Sequence, residues 1–514
     1  MFEYGPLPPL MFASMVIFML YGFPVAFSLG AVGLFYGAIG ILTGHFDWAF
    51  LQAMPHRIAG NNILSNDLLL AIPFFTFMGA ILERCGLAED MLEGMGKLFG
   101  RIPGGLAYAV ILVGAILGAV TGTVAASVIT MGVISLPIML RYGYNARLAT
   151  GVIAASGTIT QVIPPSLVLV VLADQLGRPV GDMYLGAFGP SIAQVLIFMS
   201  FILVMSILRP ASMPPLPLEV RGEASLRLVL RVLWGIVPSL VLIFLVLGTI
   251  FIGVATPTEG GAMGALGSLI LAAIKRRIDR NPVRFNFTLV RQATEATAKL
   301  SAFVLFILIG ARVFSLTFYG VNGHIWVEHL LTSLPGGQTG FLIVVNVMVF
   351  LLAFFLDFFE LAFIVIPLLG PAAEKLGIDL IWFGVILGVN MQTSFMHPPF
   401  GFALFFLRSV APKNAYVDRV TGQRMEPVTT GQIYYGAIPF VVIQCIMVAL
   451  VILFPQMVTH YKNSGTTIDA GAVEKKLQDL QLPGLGAPGG GLPGLDAPGG
   501  GLPGLDLSQP PKIQ

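Results

Sequence analysis

The chain has 514 residues, of which 56% are hydrophobic and only 11% charged, with 60 Gly and 38 Phe. An ordinary soluble domain carries about 25% charge, so there is too little polar side chain here to coat a water-facing surface. A soluble multidomain protein is excluded. The net charge of +2 gives no electrostatic footprint for nucleic acid, and the two cysteines, Cys85 and Cys445, suggest neither a disulfide framework nor a metal cluster. Repeated apolar runs of about 18 residues or more select helices over a barrel. The fold class expected is an all-α, multi-pass membrane protein.

Taken along the chain, apolar spans fall near 10–41, 64–83, 105–120, 124–140, 148–173, 188–208, 230–253, 258–274, 298–318, 340–356, 361–373, 380–407 and 432–455. The first has no basic region before it and reads as a membrane segment rather than a cleaved signal. Several spans are too short or too broken to cross about 30 Å of hydrocarbon. The stretches 124–140 and 361–373 read as arms of re-entrant hairpins, and 148–173 and 380–407 as helices interrupted at Pro164-Pro165 and Pro398-Pro399. Segments 84–104 and 319–339 read as loops, and 230–274 as one or two crossings. Lys275, Arg276, Arg277, Arg280, Arg284, Arg291 and Lys299 face only Asp279 and Glu295 between 275 and 299, so that loop is expected in the cytoplasm. A membrane domain over 1–457 is followed by a tail over 458–514, whose Pro/Gly-rich ten-residue repeats from Leu482 are expected to be disordered.

The membrane domain repeats itself. Pro137, Gly143 and Pro164 recur as Pro371, Gly377 and Pro398, and each interval (371−137, 377−143, 398−164) is 234. The same shift carries Gly30 and Gly33 onto Gly264 and Gly267. Repeat one spans about 7–175 and repeat two about 240–408. Paired halves with matching Gly/Pro-interrupted segments are the sequence pointer to a secondary transporter. A Pro-Pro pair removes two amide donors and frees carbonyls, which cost several kcal/mol each if they face lipid. Such a break is tolerated where it lines a polar cavity or meets a cation.

Three polar clusters sit beside these interruptions: Thr121-Gly122-Thr123 with Ser127, Ser156-Gly157-Thr158-Ile159-Thr160, and Asn390-Met391-Gln392-Thr393-Ser394 before His397. Their hydroxyls, amides and freed carbonyls are the hard ligands an alkali cation needs; singly, each would serve equally to cement helix packing. Thr158, Asn390, Gln392 and Thr393 are the candidate substrate contacts. The shift of 234 sets Thr123 opposite Asp357. Intramembrane carboxylates are costly, so Asp357 is expected to act as cation ligand, proton carrier or counter-ion, and Glu360 either to do the same or to sit at the membrane interface. Arg312 would either attract an anion or pair with a structural carboxylate. No nucleophile–base set, phosphate loop or metal-binding spacing appears, so neither an enzyme nor an ATP-driven pump is expected, and no cofactor beyond a coupling ion.

GAVTGTVAAS, LPIMLRYGYNARLA, SGTITQVIPPS, GVATPTEGGAMGA and NMQTSFMHPPFG together resemble the large membrane subunit of tripartite ATP-independent periplasmic (TRAP) transporters, over residues 7–455. That resemblance implies a multi-pass protein of the bacterial inner membrane that imports small organic acids with sodium, from the ion transporter superfamily. It implies two repeats inverted in the membrane, and an elevator-type transport domain of hairpins and broken helices moving against a scaffold. The implied partners are a small four-helix membrane subunit, a periplasmic substrate-binding protein, lipid and the organic acid. By motif, a first sodium site falls at Thr121, Thr123, Thr160, Ile163 and Pro164. A second falls at Ala353, Asp357, Ser394 and the position before Pro398. There the chain departs, with His397 where the family commonly has a threonine, so a proton-coupled or altered stoichiometry stands as an alternative. Thr256-Pro257-Thr258-Glu259 matches a stretch of that family and reads as a helix break with a structural or hinge role. The expected substrate is a carboxylate such as a 2-oxo or hydroxy acid. A self-sufficient carboxylate or anion carrier without a binding protein, and a non-transporting scaffold, are the competing readings.

Overall fold

Breaks in the apolar pattern set the helix boundaries. In the computed structural model, which describes residues 5–60, 63, 66–221, 226–354, 356–398, 401–418 and 420–464, Gly22 at positive φ and Pro24 divide the first apolar stretch. It becomes α1 (Leu7–Leu20) and α2 (Val25–Leu42). Two short helices, α3 (Trp48–Gln52) and α4 (Met54–Ala59), lead to α5 (Asp67–Arg84), α6 (Leu87–Phe99), α7 (Gly105–Thr121), α8 (Val124–Arg141), α9 (Ala146–Thr158) and α10 (Leu167–Gln175). Next come α11 (Val180–Leu208), the one-turn α12 (Leu218–Arg221), α13 (Leu226–Phe251), α14 (Pro257–Asp279) and α15 (Phe287–Gly320). The second run is α16 (Gly323–Thr332), α17 (Gly337–Leu352), α18 (Phe358–Ile364), α19 (Ile366–Lys375), α20 (Leu380–Met396), α21 (Phe402–Val410) and α22 (Thr430–Leu453), closed by the short α23 (Gln456–Thr459). Among the described residues, six helices are long and apolar enough to cross a membrane, or eight if each of two bent pairs is one span. One compact unit runs to Tyr461; the repeats from Leu482 lie outside the described residues.

One expectation is corrected. The segments 84–104 and 319–339 are not plain loops, because α6 and α16 occupy them. Helix α6 follows α5 at a bend of 56°, and α16 precedes α17 at 118°. Of the one or two crossings open for 230–274, two helices are observed, α13 and α14. Thr256–Glu259 is the expected helix break, between α13 and α14, and its role there is structural, a capping box. The Thr256 side chain accepts from the Glu259 amide and the Glu259 carboxylate from the Thr256 amide, with Pro257 at the first helical position.

The helix starts keep the sequence interval: α8 and α18 begin 234 residues apart (358−124), as do α9 and α20 (380−146). Packing between the halves is reciprocal. Helix α2 lies on α15 while its counterpart α14 lies on α5, the counterpart of α15. Helix α10 packs on α18 and α20, and its counterpart α21 packs on α8 and α9. Exchange of this kind is what an isologous, two-fold contact generates.

Close approach rests on small residues. A methyl group added at Gly151 would sit 2.1 Å from the Gly436 carbonyl oxygen, and one at Gly436 would sit 2.0 Å from that of Arg147, so α9 and α22 touch backbone to backbone. Outside the spans, a two-stranded hairpin (β1, Tyr416–Val417; β2, Arg424–Met425) is tied to the end of α8. Arg141 Nη2 and Nε each donate to the buried Asp418 carboxylate at 2.8 and 3.0 Å, which holds that carboxyl well below the usual range. Gly436→Val should force α9 and α22 apart and cost about 1–3 kcal/mol, read as a lowered melting temperature of the protein in detergent. An unchanged melting temperature would show that α22 shifts freely against α9.

Candidate functional site

The two hairpins turn without a helical residue to spare. Gly122 takes φ +64°, a conformation that disfavours any side chain, and ends α7. Thr123 is extended and starts α8 with no side-chain cap, leaving the first-turn amides of an 18-residue helix open. In the second hairpin Ala353 ends α17, and Asp357 starts α18. Here the helix is capped. Asp357 Oδ1 accepts from the Glu360 amide at 2.9 Å, and Glu360 Oε2 accepts from the Asp357 amide at 2.8 Å. The two intramembrane acids therefore have a definite local role, a reciprocal cap that satisfies two buried amides.

The helix breaks are handled by the same accounting. Between α9 and α10, Ser166 Oγ donates to the Gln161 carbonyl at 2.6 Å and accepts from the Val168 amide at 3.1 Å. Ser191 of α11 donates to the Val162 carbonyl at 2.8 Å. Two of the carbonyls freed at this break are thus met by serines. Between α20 and α21, His397 accepts at its carbonyl from the Gly401 amide at 2.7 Å, and α21 begins at Gly401–Phe402 without a side-chain cap.

Hairpin tips and breaks converge on one cavity of about 280 Å³. The first repeat contributes Thr123, Val124, Ala125, Gln161 and Val168. At positions 234 further on, the second contributes Asp357, Phe358, Phe359, Phe395 and Phe402. Leu300 and Phe303 of α15 and Phe406 of α21 add to the wall. None of the residues lining it is Lys, Arg or His.

The sequence-selected residues fall into three groups. Thr123 and Asp357 line the cavity together. Thr160, whose Cα lies 2.9 Å from where a methyl on Gly118 of α7 would stand, is buried beside the first hairpin arm, and its hydroxyl has no partner among the described residues. Thr121 ends α7, though its side chain is outside the described residues; Ile163 and Pro164 follow within the break, where the Ile163 amide bonds the Ile159 carbonyl. Ala353 lies next to Phe354, on whose ring the His397 imidazole stacks at 4.0 Å, so the end of α20 meets the second hairpin. His397 Nδ1 and the Ser394 hydroxyl, both buried, have no partner among the described residues. The substrate candidates do not line the cavity. Thr158 accepts from Gln444 of α22, Asn390 donates to the Asn346 carbonyl of α17, and Thr393 donates to the Asn390 carbonyl. Gln392 is the exception in that neither atom of its buried amide has a partner among the described residues. Arg312, half-buried on α15, is also absent from the cavity wall.

Gln161 was not selected from the sequence, yet it lines the cavity, is 2% exposed, and carries a side-chain oxygen without a partner among the described residues. Its position between Thr160 and the broken helix was the available signal. The phenylalanines of the second repeat had none, since 38 are spread along the chain.

The profile of a family described as "Tripartite ATP-independent periplasmic transporter, DctM component" matches residues 12–457. The chain is 28% identical to the uncharacterised protein YgiK of Salmonella typhimurium, over 89% of this chain and 97% of that one. It is 30% identical to the C4-dicarboxylate TRAP transporter large permease protein DctM of Vibrio cholerae, over 78% of this chain and 89% of that one. Among solved structures, the YdaH transporter of Alcanivorax borkumensis shares the fold at a TM-score of 0.51 and 17% identity, covering 87% of this chain and 98% of that one.

Asparagine caps a helix about as well as aspartate, whereas alanine costs about 1 kcal/mol. Asp357→Ala should therefore lower the melting temperature, and Asp357→Asn should restore it. If the carboxylate charge also serves a coupling ion, Asp357→Asn melts like the wild type but loses ion-driven uptake. Full uptake by Asp357→Asn would leave the side chain with capping alone.

Proposed function

The chain belongs to the DctM component family of tripartite ATP-independent periplasmic transporters, and from that premise we propose that it is the translocating subunit of a sodium-driven carboxylate importer. It is a multi-pass inner-membrane transporter permease rather than an enzyme. Its family works with a periplasmic binding protein and a small membrane subunit, and these are the partners we assign to it.

One observation carries the reading. Open amides of α8 and a Gln161 side-chain oxygen without a partner among the described residues meet at a cavity without a basic residue. Helix amino ends carry partial positive charge and suit an anionic group. Without Lys or Arg to balance it, an anion in this low-dielectric site calls for a companion cation. The hydroxyls of Thr123 and Thr160 and the Gln161 amide are hard oxygen ligands of the kind sodium takes. A first ion therefore sits at Thr121, Thr123, Thr160, Ile163 and Pro164 in this proposal. A second sits at Ala353, Asp357 and Ser394, with His397 as its weak corner, because the imidazole is stacked on Phe354. Two inverted repeats, with hairpins and broken helices moving as an elevator, complete the proposal; the reciprocal packing of α2 on α15 and α14 on α5 supports it. The substrate class is a small carboxylate, with 2-oxo and hydroxy acids first. Asn390, Gln392, Thr393 and Thr158 then brace the site from behind, Gln392 alone keeping free hydrogen-bonding capacity.

The test is uptake into proteoliposomes holding the chain and its small subunit, with the cognate binding protein added or withheld. Uptake should follow an inward sodium gradient, fall to background in potassium, and require the binding protein. His397→Thr, which supplies a hydroxyl at the weak corner, should steepen the sodium dependence. Equal uptake in potassium would overturn sodium coupling, and uptake without the soluble protein would favour a self-sufficient carrier.

A further inference from the structure

The cavity is built on matched positions, but its two halves have different chemistry. At the five matched positions the first repeat places Thr123, Val124, Ala125, Gln161 and Val168, none of them aromatic, with Leu167 beside them. The second places Asp357 and four phenyl rings, Phe358, Phe359, Phe395 and Phe402. Backbone symmetry alone would give similar walls. The open amino end of α8 and the unpartnered oxygen of Gln161, itself 2% exposed, lie on the first-repeat side. On the second-repeat side the start of α18 is closed by its own Asp357–Glu360 cap, and the start of α21, though uncapped, bears Phe402, which lines the cavity. One wall therefore receives a polar head and the facing wall an apolar body.

We propose that the cavity selects a monoanionic carboxylate with an aromatic or bulky branched body, its head at the Thr123 hydroxyl and the open amides of α8 beside a cation held by the Gln161 oxygen, and its body against the phenyl wall of the second repeat. This rests on the carboxylate reading above and narrows it. A dicarboxylate would have to bury its second charge against phenyl rings and the Asp357 carboxylate, with no cationic side chain in the wall. A two- or three-carbon acid would leave the rings without contact. At about 280 Å³ the space suits a single small aryl or branched acid, just below the range of about 300–1,000 Å³ that holds drug-sized ligands.

The experiment measures binding by calorimetry to the full chain with its small subunit in sodium-containing nanodiscs. The probes are phenylglyoxylate, 4-methyl-2-oxovalerate, pyruvate and succinate. The two bulky monoanions should bind about tenfold or more tighter than pyruvate and succinate, as expected from burying a ring or a branched chain. Phe402→Val gives position 402 the residue that the first repeat has at 168, and it keeps the wall apolar. It should reduce the preference for phenylglyoxylate over pyruvate several-fold, and Phe359→Ala, matching Ala125, should do the same. Succinate or pyruvate binding as tightly as the bulky acids would overturn the proposal while leaving the carboxylate reading in place. Binding of none of the four would remove both. An undiminished preference in a folded Phe402→Val protein would overturn the assignment of the phenyl wall.

Discussion

In hydrocarbon every main-chain amide and carbonyl must find a partner inside the protein, and the architecture follows from how this chain meets that demand at four interruptions. Continuous helices satisfy it automatically. Two hairpin tips and two broken helices do not, and each is answered by particular residues. Ser166 and Ser191 hold the carbonyls of Gln161 and Val162, and Asp357 with Glu360 closes the start of α18. The first turns of α8 and α21 receive no side-chain cap. Each repeat thus keeps one capped and one open helix start at the cavity, α10 with α8 in the first and α18 with α21 in the second.

Such ends stay in place only if the elements bearing them cannot drift. Lipid supplies no hydrophobic force between helices, so contact depends on small residues and close backbone approach. Gly151 and Gly436 bring α9 against α22, and Gly33 and Gly310 bring α2 against α15, where Thr317 also donates to the Gly33 carbonyl at 2.8 Å. Outside the apolar spans, the Arg141–Asp418 pair ties the far end of α8 to the hairpin between α21 and α22. One arm of the first hairpin is therefore fixed to the second broken helix at the end opposite its tip.

Much of this was legible in the sequence where the constraint acts on the main chain. Proline and glycine mark positions that only they can occupy, so the 234-residue interval emerged from Pro137, Pro371 and their companions and reappears in the helix starts. Helices α6 and α16 were hidden because charged and polar residues interrupt their apolar faces, and such segments at a bend read as loops. The capping boxes at Thr256 and Asp357 have a plain sequence form, but polar residues inside a membrane segment invited functional readings first. For the same reason Thr158 and Asn390 looked like substrate contacts, although they bond Gln444 and Asn346 across helix interfaces. The phenyl wall depends on which faces of α18, α20 and α21 meet across the two halves, and local periodicity does not carry that information.

Contrast between backbone and side chains gives the last step. Where a residue serves the fold, the two repeats agree: Pro164 with Pro398, Gly143 with Gly377, and equal intervals at the starts of α8 and α18. Where residues face the cavity they disagree at every matched position, Thr against Asp, Val and Ala against Phe, Gln against Phe. A symmetric site would present the same chemistry to both ends of a ligand, and a monocarboxylate has unlike ends. Unlike side chains on the two sides of the lining are therefore what a shared backbone needs if it is to orient an asymmetric anion. Apart from Asp357, which also caps α18, these lining side chains take no part in the caps described above.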